Sequence, residues 1–405
     1  MKHGGELGLA ADPRLPVSTR RRARILSPTD PRLPVCSHSR ASSPSSSMPL
    51  LLRQFSRGIA AREEPQDEYR LRRYVLRRLL VLYAAWFVLT MRDKSRAHQW
   101  GSTTVARVLG ATARVVLGAF GVRSCMRFDG LPENTYPTVS ERLVTSDAAL
   151  FTIFPHGAYP LSMLALCVPA FRTDPALSTF RLRLAGASVL YSVPVVRELL
   201  LLLGGREASE PTMRRCFAEG CSVALCPGGI YEQVHTDHTQ EQVFVQKRLG
   251  FIRCAMAAGK PLVPAYCFGE NQLFTMFGFA RTLQLWVLRK LRVGLPLFTG
   301  KWGLPFGPPL PTHTMLVIGR EVAVGPPNAD PTEAEIEAVF ERFVAELWRI
   351  FDENAAKYLP ADVAARGLRV ERIGVGVVNR SASPPPPNEI ATAQLVSTQS
   401  VRSRL

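Results

Sequence analysis

Seven histidines occur in the 405 residues, and one of them, His156, closes an apolar stretch between a proline and a glycine, in Phe154-Pro155-His156-Gly157. An imidazole exchanges its proton near neutral pH, so there it suits removal of a hydroxyl proton as the oxygen attacks a carbonyl such as that of a thioester. The oxyanion formed in that attack needs donors, which the backbone of a glycine-bearing turn leading into a helix supplies. Pro155 and Gly157 are therefore read with His156 as substrate-lining residues. On spacing alone, a structural role for one histidine ranks ahead of a catalytic one.

Two further strand-end turns carry carboxylates. In Cys226-Pro227-Gly228-Gly229-Ile230-Tyr231-Glu232, glycines 228 and 229 let backbone amides approach a ligand closely. Glu232 then orients His156 or the acceptor hydroxyl, or else caps a neighbouring helix. In Tyr266-Cys267-Phe268-Gly269-Glu270-Asn271, Glu270 competes for the orienting role and Asn271 is read as a substrate contact. Other chemistries have less to stand on. No Gly-x-Ser-x-Gly elbow occurs. Cys226 offers a covalent cysteine mechanism. His235-x-x-His238 with Asp237 reads as an exposed polar loop, and Gly374-x-Gly376 lacks the third glycine of a dinucleotide site.

These turns need a sheet to hold them. From about residue 145, short apolar strands alternate with helical stretches, the pattern of an α/β domain. Strands are expected at 148–154, 182–189, 221–226, 262–268 and 315–324, with helices at 162–170, 195–203, 211–219 and 251–258. Thr332 and Glu335 have capping-box spacing, and Ile336, Val339, Phe340, Phe343, Leu347 and Phe351 share one helical face. Ligands of such sheets bind beyond the carboxyl ends of the strands, where His156 falls. The stretch from Leu273 to Phe298 reads as core packing or as a bilayer-surface segment.

Ahead of this domain, Leu79 to Met91 is apolar but only thirteen residues long, and Val105 to Val122 is broken by Arg107 and Arg114. A spanning helix needs about 20 residues. The pair is expected to form a shallow hairpin anchor or, alternatively, two buried helices. The first residues hold Arg20, Arg21, Arg22, Arg24, Arg32, Arg40, Arg53 and Arg57 among serines and prolines, a composition that suits a disordered basic arm or a targeting segment. The expected organisation is a disordered tail at 1–74, an anchor at 75–125, a catalytic domain at 126–360 and a mostly disordered tail at 361–405. The charge of +17 suits nucleic acid, anionic lipid or a phosphorylated substrate. Basic residues here are not interleaved with aromatic platforms, and the apolar segment favours membrane over nucleic acid. Eight cysteines with no Cys-x-x-Cys pair read as reduced thiols, with no metal site expected.

Taken in order, the motifs between about residues 145 and 358 resemble the type-2 diacylglycerol acyltransferase family, which includes monoacylglycerol acyltransferases and wax-ester synthases. They are Phe154-Pro155-His156-Gly157 where the family usually has His-Pro-His-Gly, Arg197-Glu198 before Gly204-Gly205, and Pro227-Gly228-Gly229 with Glu232. Arg248-Leu249-Gly250-Phe251, Leu262-Val263-Pro264 leading to Phe268-Gly269-Glu270-Asn271, and Lys301-Trp302-Gly303-Leu304-Pro305 follow. The resemblance implies a glycerolipid-acyltransferase-like α/β sheet with flanking helices, and acyl-CoA-dependent esterification of diacylglycerol with His156 catalytic. Monoacylglycerol or a wax alcohol is the alternative acceptor, and a catalytically inactive lipid-binding relative the alternative protein. It further implies no cofactor beyond acyl-CoA as co-substrate, and a lipid-alcohol acceptor. The setting implied is the endoplasmic reticulum membrane, with plastid or lipid-droplet membrane as alternatives. A homo-oligomer is compatible with it, and nucleic acid is not a partner. Lys247 and Arg248, with Arg253, are read as contacts for the CoA phosphates. The sequence departs from the pattern at Phe154, and Leu161 stands where related glycerolipid acyltransferases have an Asp five residues after the histidine.

Overall fold

A computed structural model describes residues 66–90, 101–131, 148–161, 163–167, 181–291 and 294–380. Residues 1–65 and 381–405 lie outside the described residues, whereas 66–74 and 361–380, expected to belong to disordered tails, are folded into a helix at the first and a helix and two strands at the second.

Two helices come first, α1 (Gln66–Thr90) and α2 (Thr103–Ala119), and β1 (Arg123–Phe128) follows directly. Then come β2 (Leu150–Phe154), a π-helical turn at Met163–Cys167, β3 (Arg183–Gly186), α3 (Val196–Leu202), β4 (Arg206–Glu207), α4 (Glu210–Ala218) and β5 (Val223–Leu225). The chain continues through α5 (Gly229–His235), β6 (Gln242–Val245), α6 (Gly250–Ala258), β7 (Leu262–Phe268), β8 (Thr275–Met276), α7 (Arg281–Leu291), β9 (Phe298–Thr299) and β10 (His313–Ile318). It closes with α8 (Glu333–Tyr358), α9 (Ala361–Arg366), β11 (Arg369–Arg372) and β12 (Gly376–Val377).

Seven strands make the main sheet, in the order β1-β10-β7-β2-β5-β3-β4. The five from β7 to β4 run parallel, while β10 is antiparallel to β7 and parallel to β1, so the sheet is mixed. Parallel strands covered on both faces must be apolar at every position. Every residue of β2 and β7 is buried accordingly. Alternation divides their side chains between two cores. Leu150, Phe154, Leu262, Tyr266 and Phe268 face the one that includes Ile336, Val339, Phe340, Phe343, Leu347 and Phe351 of α8. Phe151, Ile153, Val263, Ala265 and Cys267 face the other. The Thr332 hydroxyl accepts from the Glu335 amide and the Glu335 carboxylate returns a bond to the Thr332 amide, which starts α8 where the spacing predicts it.

The ordered unit reaches further than expected at both ends. β1 straddles the boundary placed at 125, and Val363 of α9, Leu368 and Val370 of β11 enter the α8-facing core, with β11 paired in parallel to β6. Neither extension left a periodic signal, since β1 and β11 carry four arginines between them at Arg123, Arg127, Arg369 and Arg372.

The two segments expected to form a shallow hairpin anchor are both helical. No described helix is long and apolar enough to cross a membrane. Leu79, Leu80, Val81, Leu82, Val88 and Leu89 of α1 are exposed, whereas Phe87 is buried. Its last two turns dock on α3 through the almost wholly buried Arg197. The guanidinium donates to the Thr90 hydroxyl (2.8 Å) and Glu198 (2.7 Å) and lies 4.3 Å from the Phe87 ring centroid. Glu198 in turn accepts from the Tyr83 hydroxyl (2.7 Å). The Arg197-Glu198 motif is thus a helix clamp. Arg197→Ala removes a buried charge from its partners and is expected to cost about 2–4 kcal/mol. Hydrogen exchange of residues 83–90 should accelerate with it. Unchanged exchange would show that α1 is held by something else.

Candidate active site

β2 ends in a cis Phe154–Pro155 peptide bond, after which the chain turns through His156 and Gly157. Phe154 points back into the core, fully buried, with its ring 6.2 Å from that of Phe343. The position where relatives usually have a first histidine therefore packs α8 here and takes no part in the turn. His156 is half-buried, and its Nδ1 stands 3.1 Å from the Gly157 carbonyl oxygen. A carbonyl only accepts, so this contact places the proton on Nδ1 and leaves the Nε2 lone pair open. Burial lowers the ring pKa below its ordinary value of 6.5, with the Gly157 contact opposing. The ring is then a neutral base at neutral pH.

Two elements hold this turn. The Gln233 amide of α5 donates to the Ala158 carbonyl (2.6 Å), and the Leu161 amide donates to Glu270 Oε1 (2.7 Å). Gly157 has φ +63°, and a Cβ there would come within 3.0 Å of Glu270 Cγ, so both the backbone angle and the space require glycine. Glu270, buried at the end of β7, thus brings its carboxylate to the amide of residue 161. A carboxylate from another strand supports the segment where related enzymes have an Asp on the segment itself.

Glu232 is 1% exposed, and its two oxygens meet no hydrogen-bond donor of good geometry among the described residues. The His156 backbone is near enough to ease the ionised form, but burial dominates and pushes the carboxyl well above the usual range. Burial therefore favours the uncharged form of Glu232. Its room depends on Gly228, where a Cβ would lie 2.3 Å from Glu232 Oε2. Gly229, at φ +52°, starts α5. Burial also raises the Cys226 thiol well above its ordinary range, so the covalent cysteine alternative loses its nucleophile.

Both orienting carboxylates named from the sequence therefore sit by the turn, yet the ring itself is oriented by the Gly157 carbonyl. Asn271 is buried and donates to Glu241 Oε2 (3.0 Å). Sequence reasoning passed over Glu241, which also accepts from the Tyr266 hydroxyl (2.5 Å) and the Gln272 amide (2.7 Å) and so braces the Glu270 turn. A carboxylate in the polar run Thr239-Gln240-Glu241-Gln242 looks like a solvated loop, and only the following Val243-Phe244-Val245 hinted at burial. Lys247 and Arg248 are exposed in the turn after β6, their carbonyls accepting from Arg372 and Arg253. Arg253 pairs with Glu333. No described hydrogen bond or ion pair joins these three to His156, Glu232 or Glu270. His235 stacks on Tyr231 at 4.1 Å, and no described trio of His, Cys, Asp or Glu is placed to hold a metal.

An imidazole at a parallel strand end, between glycine turns and buried carboxyl groups, is an arrangement that can take a proton from a hydroxyl. The chain belongs to the diacylglycerol acyltransferase family, which matches it over residues 132–365. Diacylglycerol O-acyltransferase 2-like protein 6 of Mus musculus is 29% identical over 206 residues, covering 46% of this chain and 59% of that one. 2-acylglycerol O-acyltransferase 3 of Homo sapiens is 31% identical over 196 residues, covering 44% and 55%. Acyl-CoA wax alcohol acyltransferase 2 of Mus musculus is 26% identical over 227 residues, covering 50% and 65%. The chain spans less than two-thirds of each of these relatives. No solved structure matches it.

Proposed function

We propose that the chain is an acyl-CoA-dependent O-acyltransferase that esterifies diacylglycerol to triacylglycerol, with His156 as general base. The open Nε2, fixed by the Nδ1 contact to Gly157, is the observation that carries the reading. Nε2 takes the acceptor's hydroxyl proton as the oxygen forms a bond to the thioester carbonyl carbon. The tetrahedral intermediate then expels the CoA sulfur, which takes the proton back from the imidazolium. Glu270 positions the turn through Leu161, and the buried Glu232 lies against the backbone of His156. Lys247 and Arg248, exposed and cationic, are offered to the CoA phosphates. A monoacylglycerol or a long-chain alcohol is the second reading, favoured by the names of the human and one of the mouse relatives. The exposed leucines of α1 support attachment to a membrane surface, and the endoplasmic reticulum is the membrane we propose. The test is labelled acyl-CoA given, with competing acceptors, to microsomes of a triacylglycerol-deficient host expressing the full chain. Labelled triacylglycerol is expected. Ester on another alcohol would move the acceptor, and no ester from any acceptor would end the enzyme reading.

A further inference from the structure

Between β9 and β10, residues 300–307 form a tight loop that presents large apolar side chains outward. Trp302 is 69% and Phe306 59% exposed, with Leu304 exposed between them. Both aromatic residues hold left-handed backbone, at φ +63° and +54°, a conformation costly for bulky residues. The loop is nonetheless pinned by backbone bonds from Lys301 to Pro308 (2.7 Å), Gly300 to Leu304 (3.1 Å) and Phe306 to Phe298 (3.1 Å). A fixed, strained loop that faces water with a tryptophan and a phenylalanine is a departure from ordinary surface composition and calls for a ligand.

Its inner side is continuous with the active-site turn. Phe306 stands 5.5 Å from Phe298, Phe298 4.5 Å from Phe274, and Tyr159 5.5 Å from Phe298, ring centroid to ring centroid. Tyr159 lies three residues past His156, and its carbonyl packs on Gly157. Ala158 and Leu161 of the same turn join Phe274, Phe298 and Leu117 in one small apolar cluster, separate from the two sheet cores. On its outer side, Trp302 meets Phe120 at the end of α2 (6.5 Å), one turn after the exposed Val115 and Val116. Cations flank this apolar tip. Lys301 Nζ lies 5.3 Å from the Trp302 ring, and Arg114 and Arg123 are exposed on either side of Phe120 in sequence. Tryptophan with lysine and arginine at the rim of an apolar surface is the composition of a side facing phospholipid headgroups.

We propose that the 300–307 loop is a bilayer-inserting tip, and that the aromatic wall beneath it, Phe306, Phe298, Phe274 and Tyr159, is the path by which a bilayer-resident alcohol on apolar chains reaches His156. The path rests on the acyltransfer reading, whereas insertion of the tip does not. A substrate dissolved in the bilayer never has to enter water if the protein dips its route into the lipid. The wall offers only apolar and aromatic contact until the hydroxyl arrives at Nε2.

Two measurements on the full-length protein separate these parts. First, phosphatidylcholine vesicles brominated on the acyl chains should quench tryptophan emission in the wild type, and Trp302→Phe should remove a distinct share of that quenching. Identical quenching in the two proteins overturns insertion, whether or not the chain makes ester. Second, the rate with dioleoylglycerol in vesicles is divided by the rate with dioctanoylglycerol dispersed without vesicles. The Trp302→Ser/Phe306→Ser double variant should lower this ratio about tenfold or more. Trp302→Phe/Phe306→Leu, which keeps the apolar bulk, should preserve it. Equal loss on both acceptors marks a structural role and overturns the path, as does an unchanged ratio. Quenching by Trp302 in a wild type that forms no ester would leave the tip standing and remove the path together with the acyltransfer reading.

Discussion

His156→Ala is expected to lower ester formation by about 10²–10⁴-fold while leaving the fold intact, because the side chain is half-buried at a turn and its one hydrogen bond goes to the adjacent residue. The companion measurement is the pH dependence of the wild type. Burial depresses the imidazole below 6.5, so the base form is already dominant at neutral pH. Raising the pH above 7 should therefore add little to the rate, and the acid limb should fall away only below about 6.5 as the ring takes up a proton. Burial shifts Glu232 the other way, above the ordinary carboxyl range, so the limb is assigned to the imidazole. A rate still climbing between pH 7 and 8 would mean that a different group removes the hydroxyl proton. An alanine variant with wild-type activity would remove His156 from the mechanism altogether.

Gly228→Ala should be nearly as damaging, by a different route. The added methyl would meet the Phe244 carbonyl oxygen at 2.6 Å and the Glu232 carboxyl at 2.3 Å. The first is backbone and cannot step aside, so the turn itself must shift, at a cost of about 1–3 kcal/mol or more in stability. Displacing Glu232 moves a carboxyl packed against the His156 backbone, and activity should fall at least tenfold in protein that remains folded. Glu232→Gln is the control. Burial favours the uncharged carboxyl, which is close in shape and charge to an amide, so the melting temperature should stay near that of the wild type. A strongly destabilised Glu232→Gln protein would show that the carboxyl is ionised after all. Normal stability and activity in Gly228→Ala would show that the turn yields more easily than its contacts suggest.

The order of β2, β5 and β7 with their intervening helices was legible because fully covered parallel strands must be apolar at every position, and such runs stand out. The α8 helix was legible for a second reason, a capping box followed by one apolar face. β1 and β11 were not, since each is short and carries two arginines, β1 at the edge of the main sheet and β11 between β12 and β6. At the site, the motifs gave His156, Glu232 and Glu270 as neighbours, and the structure does gather them. The hydrogen-bond partners were beyond reach. Which oxygen orients the ring, that Leu161 serves through its amide, and that Glu241 holds Asn271 are matters of backbone direction. Side-chain identity does not encode them. The helix assignment of α1 was right in kind, but whether thirteen apolar residues sink into lipid depends on how many of them the protein itself covers. Among the described ones, Phe87 alone is buried.

Phe154 carries one last implication. Because its ring lies on α8 as a strand-interior residue, this position tolerates any side chain that fills the same volume, while Pro155, His156 and Gly157 answer to the turn. A screen of genomes for His-Pro-His-Gly would discard this chain as a degenerate copy. Pro-His-Gly paired with a downstream Gly-Glu-Asn turn is the sounder query, and family members with phenylalanine at the first position deserve to be assayed before being counted as inactive.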